Sequence, residues 1–181
     1  MTTLYTSTTL TVDVTGEKLD LLQILADQRN LLRLTVSGIT DEQARQRSTV
    51  SELTLGALIK HVANAEATTI GRIVERDENA TVDMGQLEDA YAMKPTDTLA
   101  GVLHAFDEVA ARTERVIVDV NLDDMIPLPT APWAPERQWC SARRLVLHLV
   151  REIAHHCGHA DIIRESIDGA TTMGALWSPE D

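Results

Sequence analysis

The segment His148–Asp161, HLVREIAHHCGHAD, holds four of the chain's six histidines together with Glu152. Imidazole nitrogens and carboxylate oxygens are ligands for divalent cations, so the chemistry these residue types offer first is metal binding. Such crowding needs a reason, because a polar group carried into an interior costs free energy unless a partner satisfies it. At about 100° per residue, His148, Glu152, His155, His156 and His159 share a sector of roughly 100° on one helix face. Glu152 and His156 stand four residues apart, and so do His155 and His159. Either pair has the spacing at which neighbouring turns bring two side chains to one ion. Spacing alone leaves the two pairs tied.

A third ligand must come from another helix, since bundles build metal sites from facing helices. His61 is the candidate, as the only histidine of the second apolar block. A single histidine on an apolar face is more often a satisfied core residue than a ligand, and His104 is read that way. Glycine in a helix interior costs about 1 kcal/mol relative to alanine, so Gly158, between His156 and His159, predicts close approach of a neighbouring helix or ligand to the backbone. Cys157 is expected to turn away from the Glu152/His156 stripe as a small buried side chain.

The elements that must position these groups are read from hydrophobic periodicity. A first helix is predicted from Glu17 to Val36, with Leu21, Leu22, Leu25, Leu32 and Val36 as its stripe and Gly38 ending it. Thr40 and Gln43 form a capping-box pattern for a short helical turn. A second long helix starts after Thr54 as N-cap and runs to about Arg76, with Leu58, Val62, Ala65 and Thr69 inward and His61 at the edge of that face. Residues 77–98 read as a long acidic connection. A third long helix, Thr98 to Val118, buries Leu99, Val102, Leu103, Phe106, Val109 and Val116. Four prolines in the nine residues 127–135 exclude a helix there, and Ser141 caps a final helix that ends at Asp168 with Gly169 beyond it. The prediction is an all-α four-helix bundle with long crossover connections, a single domain over residues 1–181.

Composition excludes several partners. A net charge of −12 and only 3% aromatic residues argue against nucleic acid, which needs clustered Lys and Arg and stacking rings. The two cysteines, Cys140 and Cys157, have no framework spacing and read as reduced thiols of a cytoplasmic protein. No segment has the apolar length of a membrane span, and the N-terminal residues lack the basic and apolar regions of a leader. Trp133, Trp139 and Trp177 are expected to pack in the core.

The IKHVANAE run around His61, the HLVREIAHHCGHADIIRESIDG run and the Pro-Trp loop before the last helix together resemble the DinB-like superfamily. They are closest to the actinobacterial branch of mycothiol S-transferases and the N-terminal domain of mycothiol-dependent maleylpyruvate isomerase. The likeness spans nearly the whole chain, and E-x-x-x-H-x-G-H-A-D is its most specific part. The resemblance implies a four-helix bundle holding a divalent metal, zinc first and nickel second, with one ligand from the second helix and two from the fourth. Carried onto this chain it implies His61, Glu152 and His156, because the isomerase branch places glutamate where many members have the first histidine of H-x-x-x-H. It thus prefers Glu152 with His156 over His155 with His159.

His159, one turn beyond His156, is then expected to support the ligands from behind or to act in catalysis, because a fourth protein ligand would close the open position an enzyme needs. His148 is expected to orient Glu152, and His155 to face a helix neighbour or solvent. The activity implied is transfer of a low-molecular-weight thiol, mycothiol or a similar one, to a small electrophile by a homodimer. The alternatives are a metal-dependent hydrolase or isomerase of a small substrate and a non-enzymatic metal-binding stress protein. The isomerase relatives carry a further C-terminal domain that contributes to catalysis, which points away from maleylpyruvate isomerisation here.

Overall fold

The computed structural model describes residues 6–83, 85 and 92–177. Its helices are α1 (Glu17–Leu34), α2 (Asp41–Ala44), α3 (Leu55–Glu75), α4 (Leu99–Asp119), α5 (Ala142–Asp168) and α6 (Thr172–Trp177), and two short strands, β1 (Met125–Pro127) and β2 (Trp139–Ser141), stand between α4 and α5.

Hydroxyl caps set most of the helix starts. Thr54, Thr98 and Ser141 each accept a hydrogen bond from the amide three residues on, and Thr40 with Gln43 forms the complete reciprocal capping box of α2. Each such cap satisfies an amide that the helix itself leaves unpaired and contributes about 1 kcal/mol. Gly169, at φ 78°, ends α5 in the left-handed conformation that glycine adopts without a Cβ clash. α1 ends at Leu34, earlier than its apolar stripe suggests, where the Thr35 hydroxyl donates to the Leu32 carbonyl at 2.7 Å. Val36 stays buried beyond the helix, in the turn that leads to Gly38.

The packed pairs are α1 with α5, α5 with α3, α3 with α4 and α4 with α1. These four long helices close a ring in which α1 and α3, consecutive among the long helices, take opposite corners. The segments 35–54 and 120–141 each join helices at opposite corners, whereas the predicted acidic connection 77–98 joins the adjacent α3 and α4. Leu22, Leu25, Leu32, Leu58, Ile59, Ile70, Phe106, Ile117 and Leu149 fill the middle, all fully or almost fully excluded from solvent.

Along α5 the buried apolar positions Leu145, Val146, Leu149 and Ile153 resume only at Ala160 and Ile163. The intervening core-facing register is taken by His156 and Cys157. The stripe of α3 is likewise interrupted by a charge, Glu66, which is 0% exposed. Glu66 pairs with the buried Arg29 of α1 across the diagonal of the bundle and accepts a hydrogen bond from Thr113 of α4. One polar cluster therefore ties three helices through the core.

Several expectations are corrected. The proline-rich segment is not wholly a loop: Ile126 pairs with Cys140 and Pro127 with Trp139 in an antiparallel ladder that turns Ile126 and Cys140 inward. None of the tryptophans belongs to the core, since Trp133, Trp139 and Trp177 are 66%, 43% and 77% exposed. On α4, Leu103, Val109 and Val116 are only half-buried, while Thr113 and Glu114 are buried. Ala65 of α3 is half-buried as well. Helical periodicity identifies the apolar face but not how deeply each position on it sits. The tail holds a helix the sequence did not announce, α6, latched by Asp161, whose carboxylate accepts from both the amide and the hydroxyl of Thr172 at 2.8 and 2.6 Å. Of the predicted acidic connection, residues 84 and 86–91 lie outside the described residues. No helix among the described residues is long and apolar enough to cross a membrane.

Candidate metal centre

His61 is carried on α3 between the buried Leu58 and Val62, so its ring leaves the helix beside the core rather than toward solvent. Across from it, α5 is anchored by the buried Leu149, Ile153 and Ala160, and this fixes the turn that presents Glu152 and His156. The α3–α5 contact brings the three together. Nε2 of His61 lies 3.1 Å from Oε1 of Glu152, and Nε2 of His156 lies 3.4 Å from the same oxygen. The His61 and His156 rings meet edge to face with centroids 4.8 Å apart, and the three potential ligand atoms all lie within 4.8 Å of one another.

The two nitrogen–oxygen separations suit one ion. Ligands about 2.0–2.1 Å from a cation at angles near 90–110° stand roughly 2.9–3.4 Å apart, which both nitrogen–oxygen distances match. The three side chains are 11%, 22% and 12% exposed, sheltered yet open on one side.

Burial shapes their protonation. At Glu152 burial works against ionisation, but the His61 hydrogen bond and the surrounding imidazoles outweigh it and hold the carboxyl below its usual range. At His156 burial, reinforced by the nearby His61, pushes the pKa down and favours the neutral ring that can donate a lone pair.

The remaining histidines separate by position. His159 places Nδ1 3.4 Å from Nδ1 of His156, on the side of that ring away from Glu152. His155 is exposed, its ring 4.5 Å from that of His159. His148 contacts the Arg151 guanidinium, which donates to its Nδ1 at 2.8 Å, so its hydrogen bond is to an arginine and not to the carboxylate it was expected to orient. Burial lowers its pKa. His104 stands on the exposed surface of α4 beside Glu108, neither a ligand nor the core residue expected.

Cys157 turns away as expected: its thiol donates to the Gln28 carbonyl at 3.4 Å, and burial pushes its pKa up to about 12, which makes it an inert thiol. Gly158 is exposed and a Cβ built there meets nothing within 4 Å, so no neighbouring helix among the described residues makes the close approach expected. The buried Arg29–Glu66–Thr113 cluster went unread in the sequence, although Glu66 on the apolar stripe of α3 was its one available signal.

The fold and the donor set define a class: a DinB-like four-helix bundle whose second and fourth long helices converge on two imidazoles and a carboxylate. The family model of mycothiol S-transferases matches residues 20–169, and the chain belongs to that family. A crystal structure described as the conserved protein of a locus from Enterococcus faecalis superposes with a TM-score of 0.64 at 14% identity, covering 87% of this chain and 100% of that one, a likeness of fold. No curated protein matches the chain.

Proposed function

We propose that the protein transfers a low-molecular-weight thiol of the mycothiol type to a small electrophile, using a divalent cation held by His61, Glu152 and His156. The observation that carries the reading is the meeting of these three side chains in a bundle of the mycothiol S-transferase family. Zinc suits two imidazoles and a carboxylate, with nickel second. When bound, such a cation lowers the pKa of a thiol, which free in solution is near 8.5 and mostly protonated at neutral pH.

The chain's own residues do the rest. His61 and His156 each present Nε2 toward Glu152, and three protein ligands leave room for an exogenous one. The Nδ1–Nδ1 contact with His159 supports orientation of His156: with Nδ1–H donating to His159, the lone pair of His156 is confined to Nε2. Of the roles expected for His159, that contact favours positioning over proton transfer, because in that tautomer the acceptor of a neutral His159 is engaged. Reduced cysteines and a net charge of −12 support a cytoplasmic protein that does not bind nucleic acid. The homodimer rests on the family resemblance.

The test is metal content together with thiol conjugation. His61→Ala and His156→Ala should both lose the ion and the ability to conjugate a test electrophile such as monobromobimane with mycothiol, while keeping the helical circular dichroism of the parent. Full metal content in both variants removes the site, and a metal-loaded parent that conjugates no low-molecular-weight thiol removes the activity.

A further inference from the structure

We propose that His155 and His159 form a second divalent-cation site on the flank of α5, weaker than the His61/Glu152/His156 centre and antagonistic to it. The ring separations sort the imidazoles into two pairs. Two rings sharing an ion, with metal–nitrogen distances of about 2.0–2.1 Å, nitrogen-to-centroid distances near 1.1 Å and angles of about 90–110°, have centroids roughly 4.5–5.2 Å apart. His61 with His156, at 4.8 Å, and His155 with His159, at 4.5 Å, meet that condition. The cross pairs, His155 with His156 at 5.5 Å and His156 with His159 at 5.4 Å, do not.

The second pair sits where an ion arrives from solvent. His155 is exposed and His159 half-buried, one turn apart on the same helix, so chelation needs only rotamer adjustment and water completes the shell. The ligand class is a borderline cation that favours imidazole: zinc, nickel or copper.

Antagonism follows from the lone pairs. A neutral imidazole has one, and in the tautomer in which Nδ1–H of His156 donates across the 3.4 Å Nδ1–Nδ1 contact, that of His159 is the acceptor. An ion on His159 takes the lone pair that accepts from His156, and the ring loses the hydrogen bond that fixes its orientation toward Glu152. Occupancy of the outer pair therefore weakens the inner centre, and by linkage the inner ion weakens the outer one to the same degree. The antagonism rests on the reading of His156 as a ligand; the outer site does not.

Equilibrium dialysis of the full chain against Zn²⁺ tests both. The parent should bind two equivalents, the second at least about tenfold weaker because two protein donors replace three. His155→Gln should bind one, with the tight class unchanged within about twofold, whereas His61→Ala should lose the tight class and keep the weak one. A single equivalent in the parent, or two in His155→Gln, overturns the outer site. His155→Arg, also at the exposed position, repeats the measurement should the glutamine variant fold poorly. For the antagonism, release of the tight ion to a chelator should accelerate with Zn²⁺ in the parent and not in His155→Gln; equal rates overturn the coupling alone. Retention of the tight ion by His61→Ala instead removes the inner ligand set and leaves the outer site standing.

Discussion

Glu152 places one carboxylate oxygen 3.1 Å from Nε2 of His61, a residue 91 positions earlier in the chain. The same oxygen stands 3.4 Å from Nε2 of His156, one turn along its own helix. A local spacing and a long-range helix contact thus meet at a single atom, and several consequences are measurable.

His159 stands behind His156 and not beside Glu152. His159→Ala should therefore lower the affinity of the proposed His61/Glu152/His156 centre by about 10- to 100-fold without removing any of its three proposed ligands. His159→Asn, which keeps a hydrogen-bond acceptor, should recover part of the loss. Dialysis at matched free Zn²⁺ reads the difference, and unchanged affinity in the alanine variant would show that the contact orients nothing.

The Arg29–Glu66 pair lies in the core, 4% and 0% exposed, with Thr113 completing the cluster. Glu66→Ala leaves a buried guanidinium without its counter-charge and should destabilise the fold by about 3–5 kcal/mol, whereas Arg29→Met combined with Glu66→Leu should recover most of that loss. Urea midpoints of the three proteins measure this. A Glu66→Ala variant as stable as the parent would mean that water replaces the carboxylate.

A Cβ at Gly158 would meet nothing within 4 Å among the described residues, and the backbone there is helical. Gly158→Ala should raise stability by about 0.5–1 kcal/mol, the helix-propensity difference between the two residues. A lower thermal midpoint would instead reveal a close approach, such as a partner subunit or a bound ligand.

Asp97 links α3 to the segment before α4: its Oδ2 accepts from Lys60 Nζ at 2.7 Å and from the Lys94 amide at 2.8 Å. The Lys60 hydrogen bond, then the Lys94 amide, holds its carboxyl below the ordinary 3.8, and Arg164 does the same for Asp168. Because the folded pKa is the lower one, the unfolded chain takes up protons first as pH falls. The stabilisation is complete above the unfolded value and disappears as pH drops through the folded one. Thermal midpoints should fall as the pH goes below about 4, and less steeply in Asp97→Asn. An identical slope in that variant would assign the acid sensitivity to other carboxylates.

Much of this architecture was legible in the chain. Thr54, Thr98 and Ser141 mark helix starts because a hydroxyl has a local use there, satisfying an amide three residues on. Leu21, Leu22, Leu25 and Leu32 mark the inner face of α1 because 3.6 residues make a turn. The tryptophans were misread for the opposite reason: whether a large ring is covered depends on what the rest of the chain lays over it, and nothing near Trp133 or Trp177 encodes that.

The candidate site divides the same way. By itself the sequence determined that Glu152 and His156 share a helix face, that His155 and His159 share it too, and that His61 belongs to another helix, since helical rotation is a local property. The family resemblance already preferred Glu152 with His156 over His155 with His159; what only the tertiary structure decided is how α5 is rotated and how deeply it sits against α3, which is the physical reason that this pair faces His61. The packing of Leu149, Ile153 and Ala160 sets that rotation. It turns Glu152 and His156 toward the partner helix and leaves His155 in solvent.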